Sequence, residues 1–287
     1  MFDVFRNRLT VTATLVTQTA LRVGDGRATA PTGTDLPIVK DWRGRPFIPG
    51  ASFKGALRAR VEALVRAVVP GKRGACNPFD DRETCLSKQK VRDLQRKARE
   101  LDKTDRWLTD KLIVRTCLVC ATFGAPWLAS SLRIKDLAVE EKTWLGQTEV
   151  RNGVAIDRDT ETVSGTKLYD YEVLPAGTHF AFELMLENAE NWQQGMLLAG
   201  LAAFERGEAA LGGFRSRGLG WTQLTDLQLI FSAPGNSSGR TVRNYLLPGQ
   251  EEPASKVQQQ EWRQTWRAAF RDKLKERARE AKEKQDA

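Results

Sequence analysis

With its turn-rich stretches set aside, the chain reads strand–helix–strand–strand–helix–strand, which predicts an α+β fold on the ferredoxin-like, split βαβ plan. Two observations carry this. Apolar residues alternate with polar ones along the segments read as strands, as they do when one face is buried. The two longest apolar-periodic segments instead repeat at three and four residues, the spacing of a helix with one buried face.

The elements follow in order. Leu9, Val11, Ala13 and Leu15 alternate with Thr10, Thr12 and Thr14 in the first strand. Gly24, Gly26 and Gly33 mark a long loop that exits at Asp35. Pro46 and Pro49 hold the residues before them extended, and Gly50 permits a tight reversal. A helix follows to about Val69, with Ser52 as its expected N-cap. Ala56, Leu57, Val61, Leu64, Val65 and Val68 form its expected buried face, and Pro70-Gly71 stops it. From Lys72 to about Gly124 lies an insertion. Within it, Lys88 to Lys111 reads as one amphipathic helix, with Val91, Leu94, Ala98 and Leu101 inward and basic residues outward.

Leu132 to Val139 alternates again as a second strand. Gln147 to Glu172 is polar and hairpin-like, running out through Val150, Val154 and Ile156 and back through Lys167, Leu168, Tyr169 and Tyr171. His179 to Leu186 is a strand with Phe180, Phe182, Leu184 and Leu186 on one side. Asn188 is the expected cap of a helix from Ala189 to Glu205. The loop Leu211 to Gly220 leads into a last strand, Trp221 to Phe231. Ser232 to Glu252, rich in Ser, Gly and Pro, reads as a linker. Beyond Gln258, Trp262, Trp266, Phe270, Leu274 and Ala278 fall four apart on a charged helix. That stripe suits a helix docked on its own domain; the other reading is a contact with a neighbouring subunit. Its final turns, from about Lys275, are expected to fray.

At 287 residues and 41% hydrophobic content, the chain can bury a core as one large domain or two small ones. A net charge of +9 permits nucleic-acid binding without proving it. No apolar run reaches membrane-spanning length, and Met1 to Arg6 lacks the layout of a signal peptide. A soluble, cytoplasmic protein without membrane contact is therefore expected. His179 is the sole histidine, so histidine-based catalysis has one candidate.

Three groups of residues carry chemistry. Cys76 and Cys85 flank eight residues, and Cys117-Leu-Val-Cys120 is a tight C-x2-C knuckle. Two such pairs can close a tetrahedral structural Zn2+ site with no open position for catalysis. Unrelated buried cysteines and a redox pair are the alternatives. The second group is the helix start. A glycine-led N-terminus offers free N–H groups to an anion, and Lys54 and Arg58 lie one turn apart. Basic residues that simply face water are the plainer reading. The third is the loop bearing Gly212, Gly213, Arg215, Ser216 and Arg217. Its glycines allow close approach to phosphates and its arginines supply charge, although a flexible hairpin loop has the same composition.

Asp35-Leu-Pro-Ile-Val-Lys-Asp, followed by Phe47-Ile-Pro-Gly-Ala-Ser-Phe-Lys-Gly-Ala-Leu-Arg58, resembles the signature of the RAMP superfamily. More narrowly it is similar to the backbone subunits of type III CRISPR effector complexes. The resemblance implies an RRM-like core over residues 1–250, with the insertion at about 72–124 and a thumb-like segment at about 147–174. A charged helical tail, 251–287, would follow. It implies that Ser52, Lys54, Arg58 and the glycine loop contact a CRISPR guide RNA. Arg151, Asn152, Gly153, Val154 and Ile156 would pack against the guide–target duplex. Asp35 would cut complementary target RNA with a divalent metal, Mg2+ or Mn2+, within a complex of other type III subunits. Subunits of this kind with cysteine knuckles in this position add weight to the zinc reading. The alternatives are a guide-RNA-binding scaffold that cuts nothing and a zinc-stabilised RNA-binding domain of another kind.

Overall fold

The computed structural model describes residues 4–26, 33–233 and 254–283. Most of the expected linker lies outside the described residues, as does part of the loop before Asp35. In chain order the elements are β1 (Arg8–Thr17), β2 (Phe47–Ile48), α1 (Gly50–Arg66), α2 (Lys88–Glu100), α3 (Asp105–Arg115) and α4 (Leu118–Phe123). Then come β3 (Leu132–Ile134), β4 (Leu137–Ala138), β5 (Glu149–Ile156), β6 (Val163–Val173), β7 (His179–Glu187) and α5 (Asn191–Glu205). The last are β8 (Ala209–Ala210), β9 (Trp221–Ser232) and α6 (Lys256–Glu283).

The protein is α+β. Its main sheet runs β3-β7-β1-β9-β8, with every pairing antiparallel. In β1 the predicted alternation sets Leu9 opposite Leu186 and Phe231, and Leu15 opposite Phe180 and Leu224. A bulge between Thr12 and Thr14 shifts the register against β9, where Asp226 takes φ 53°. The extra residue lets Leu224 and Leu229, an odd number apart, both be buried.

Helices α1 and α5 join one core with the sheet. Phe53 is its pivot: fully buried, with its ring centroid 4.8 Å from those of Phe182 and of Phe204. A Cβ on Gly200 would lie 2.6 Å from Val61, so α1 and α5 approach closely there. Helix α6 packs against α5 so tightly that a Cβ on Gly195 would lie 1.9 Å from the Trp266 carbonyl oxygen. Trp262 and Trp266 stack at 5.6 Å beside Phe231. The tryptophan stripe thus docks on its own domain.

The structure corrects several expectations. Ser52 does not cap α1: the helix starts at Gly50 after Pro49, and the Gly50 N–H donates to Asp136 Oδ1 at 2.7 Å. The buried face is Phe53, Leu57, Val61 and Val65, a row of i, i+4 neighbours, while Leu64 and Val68 lie on its flank, 39% and 48% exposed. The stretch Lys88 to Lys111 is two helices. Thr104 accepts from the Trp107 N–H and so starts a second one. The segment from Leu132 to Val139 breaks into β3, in the main sheet, and β4, paired with β2. Asp136, the α1 cap, sits in the break. Asn188 takes φ 52° and accepts from the Arg6 N–H; a capping box of Glu190 and Gln193 starts α5 instead.

Candidate nucleic-acid interface and cysteine centre

The cysteine centre forms where the loop after α1 meets α4. Cys117 is the N-cap of α4, its Sγ accepting from the Cys120 N–H at 3.4 Å, so the C-x2-C spacing turns both sulfurs to one side. The loop brings in Cys76 and Cys85, and all four sulfurs lie within 4.8 Å of one another. Cys76 Sγ is 3.5 Å from Cys120 Sγ and 3.7 Å from Cys117 Sγ. A disulfide needs about 2.05 Å. Four thiolates each about 2.3 Å from one tetrahedral zinc stand about 3.8 Å apart, so the set fits such an ion. Hydrogen bonds from Cys117, Cys120 and Cys85 hold the Cys76 thiol well below the usual range, while the same crowding pushes Cys120 up. Crowded thiols resist joint ionisation; a cation among them removes that conflict. These four cysteines could hold a metal.

Lys54 and Arg58 do not project into solvent together. Lys54 Nζ donates to Ser130 Oγ at 2.8 Å and to the Leu132 carbonyl at 3.0 Å. Burial, with Arg58 close by, lowers its pKa. Arg58 pairs with Glu62 at 2.8 Å and donates to the Gly124 carbonyl at 3.0 Å and to Cys120 Sγ at 3.3 Å. The two cations therefore brace α1 against β3 and the cysteine centre. Ser52, the third residue of the helix, is exposed.

Asp35 sits elsewhere, in a cluster built on β6. Its N–H donates to Asp170 Oδ1 at 2.5 Å, and the Asp170 N–H donates to Asp35 Oδ2 at 3.1 Å. Leu36 bridges Tyr171 in parallel. Two residues beyond Asp170 on the same strand, the buried Glu172 accepts from the Ile38 N–H at 3.0 Å, from Lys40 Nζ at 2.5 Å and from the Thr148 hydroxyl. Burial works to raise the Glu172 pKa, but these hydrogen bonds and the Lys40 charge win and hold it below its ordinary value. Segment 35–40 is thus fastened to β6 at both ends, and Asp35 itself remains exposed.

The glycine loop docks on the same strand. Arg217 Nη1 donates to the Tyr169 hydroxyl at 2.5 Å, and Phe214 packs edge-on to Tyr171 with centroids 4.8 Å apart. The guanidinium groups of Arg22 and Arg217 lie 5.2 and 4.8 Å from the Phe214 ring centroid. Gly212, at φ +73°, could carry no side chain, because its Cβ would lie 2.1 Å from the Arg22 carbonyl oxygen. Gly213 donates to that same oxygen at 2.9 Å. This backbone fit leaves Arg215, Ser216 and Arg217 exposed on a short 3-10 turn.

Strands β5 and β6 form the expected hairpin, with Asn152 opposite Asp170 and Gly153 opposite Tyr169. Gly153 makes room for the Tyr169 ring, which its Cβ would meet at 2.3 Å. Arg151 pairs with Glu149 at 2.8 Å. Val150, Val154 and Ile156 are exposed, although apolar. Asp35 and the glycine loop therefore both dock on β6, the returning strand of the hairpin. No local sequence pattern marks Phe214 or Arg22 as functional, and Asp170 and Glu172 carry only a weak one: they are two apart and so share a strand face.

The model of the RAMP superfamily matches residues 14–223, which spans β1 to the start of β9 and leaves α6 outside. The CRISPR system Cms endoribonuclease Csm3 of Methanocaldococcus jannaschii is 24% identical over 226 residues, covering 74% of this chain and 77% of that protein. Among the described residues no helix is long and apolar enough to cross a membrane.

Proposed function

We propose, from the premise that this chain belongs to the RAMP superfamily, that it is a guide-RNA-binding backbone subunit of a type III CRISPR ribonucleoprotein and cleaves complementary target RNA through Asp35. The resemblance first seen in the residues from Asp35 to Arg58 is borne out by a family match over most of the chain and by similarity to a protein named as an endoribonuclease. The strand order β3-β7-β1-β9 supports a ferredoxin-like, RRM-like core. In that reading residues 1–250 carry the RNA, and 251–287 is a tail whose helix α6 braces α5 through Trp266.

One observation carries the assignment of cleavage: Asp35, far in sequence from both the hairpin and the glycine loop, is exposed and hydrogen-bonded to β6, the hairpin strand on which the glycine loop also docks. The hairpin, with Arg151, Asn152, Gly153 and the apolar Val154 and Ile156, would lie against the guide–target duplex. Gly212, Gly213, Arg215, Ser216 and Arg217 would hold guide phosphates, contacts that carry no sequence information. Ser52 and the remaining N–H groups of Lys54 and Arg58 would complete the guide path at the start of α1.

The RNA supplies its own nucleophile. Its 2′-oxygen bonds to the adjacent phosphorus as the 5′-oxygen of the next nucleotide leaves with a proton. Asp35 positions the 2′-hydroxyl for that attack and accepts the proton it gives up. It is also a hard oxygen donor of the kind Mg2+ and Mn2+ prefer, and such an ion would neutralise developing charge. The four-cysteine centre would hold a structural Zn2+, remote in role from the chemistry.

The test is target cleavage by reconstituted complexes with Asp, Asn or Ala at position 35, with guide binding measured in parallel. Asp35→Ala and Asp35→Asn are expected to abolish cutting and leave assembly intact. Robust cutting by the Asn form would remove Asp35 from the mechanism and leave a scaffold that binds guide RNA.

A further inference from the structure

We infer that Asp170 is the positioning residue for Asp35, orienting its carboxylate from the returning strand of the hairpin; the inference rests on Asp35 being the cleaving residue. Asp35 is on a loop, and a loop carboxylate samples several rotamers unless something holds it. Here the two aspartates, 135 residues apart in sequence, make a reciprocal pair. The Asp170 side chain accepts from the Asp35 main-chain N–H, and the Asp170 main-chain N–H donates to Asp35 Oδ2. One Asp35 oxygen is thereby held against β6, which restricts the rotamers open to the carboxylate, while the residue stays exposed.

The clamp is reinforced on both sides. Along β6, Glu172 fastens Ile38 and Lys40 at the other end of the segment. Across β6, Tyr169 and Tyr171 are gripped by Arg217 and Phe214 of the glycine loop. Asp170 thus lies between the group that would cut and the loop that would hold the guide. A shift of the strand by an ångström would carry Asp35 with it, and misplacement on that scale costs up to about a hundredfold in rate.

The role separates from direct chemistry by the substituent chosen. Asparagine keeps an oxygen to accept from the Asp35 N–H, and the main-chain donor at 170 is unchanged; alanine removes the acceptor. Complexes carrying Asp170→Asn, Asp170→Ala and, in parallel, Asp35→Ala are compared in single-turnover cleavage and in guide and target affinity. The expected result is an Asn form within about threefold of wild type and an Ala form slower by about tenfold or more, both with affinities unchanged. An Asn form as slow as the Ala form would mean that charge at 170 acts directly, and would overturn the inference. So would an Ala form that cuts at the wild-type rate, or one that is slow only because it no longer binds guide or target. If Asp35→Ala still cuts, the underlying assignment of Asp35 has failed, whatever the 170 variants do.

Discussion

Glu172→Ala offers the most quantitative test of how segment 35–40 is held. The substitution removes one carboxylate from three donors: the Ile38 N–H, Lys40 Nζ and the Thr148 hydroxyl. Ile38 is buried, 3% exposed, so its N–H loses an acceptor that water cannot easily replace; that costs about 1–3 kcal/mol. The Lys40 side chain is 35% exposed and recovers hydration, so the ion pair adds only about 0.5–1 kcal/mol. Together these give about 3 kcal/mol, which for a chain of this size is a fall in Tm of about 6–12 °C. Glu172→Gln keeps an acceptor for Ile38 and loses mainly the charge, so about 1 kcal/mol is expected. The pH dependence has a definite sign. Because the folded pKa of Glu172 lies below its ordinary 4.5, its contribution is complete above about pH 4.5 and is lost as pH falls through the lowered value. The gap between wild type and Glu172→Gln should therefore narrow in acid. Urea denaturation at pH 7 and below pH 4 reads both effects. A Glu172→Ala loss under about 0.5 kcal/mol at pH 7 would refute the clamp as described.

Metal analysis of purified protein should find about one zinc per chain, and Cys117→Ser or Cys120→Ser should lower both zinc content and Tm, since binding energy at such a site is folding energy; equal stability with and without metal would sink the zinc reading. Charge reversal at Arg215 and Arg217 should weaken guide-RNA binding and flatten its dependence on salt while leaving the preference among RNA sequences alone, measured by titration at several ionic strengths. A DNA target lacks the 2′-hydroxyl nucleophile, so wild-type complexes should bind it without cutting, whereas cut DNA would rule out the proposed attack.

The sequence by itself determined the class of fold, the core strands and the cysteine set. The reason is that the signals are local. Alternation in Leu9 to Leu15 and Phe180 to Leu186 reports a buried strand face whatever lies above it, and C-x2-C puts two sulfurs on one turn wherever the knuckle sits. Helix ends were less legible, because several residues compete to cap and the winner can come from far away. Asp136 takes the start of α1 from Ser52 across 86 residues of chain. Only the tertiary structure decided how charged groups are spent. Lys54 and Arg58 share a helix face in sequence, but burial of that face gives both of them neighbours inside the protein. Asp35 reads as an isolated loop acid until β6 delivers Asp170 to its main chain. Such a pairing depends on strand register and chain crossing, which no local periodicity encodes.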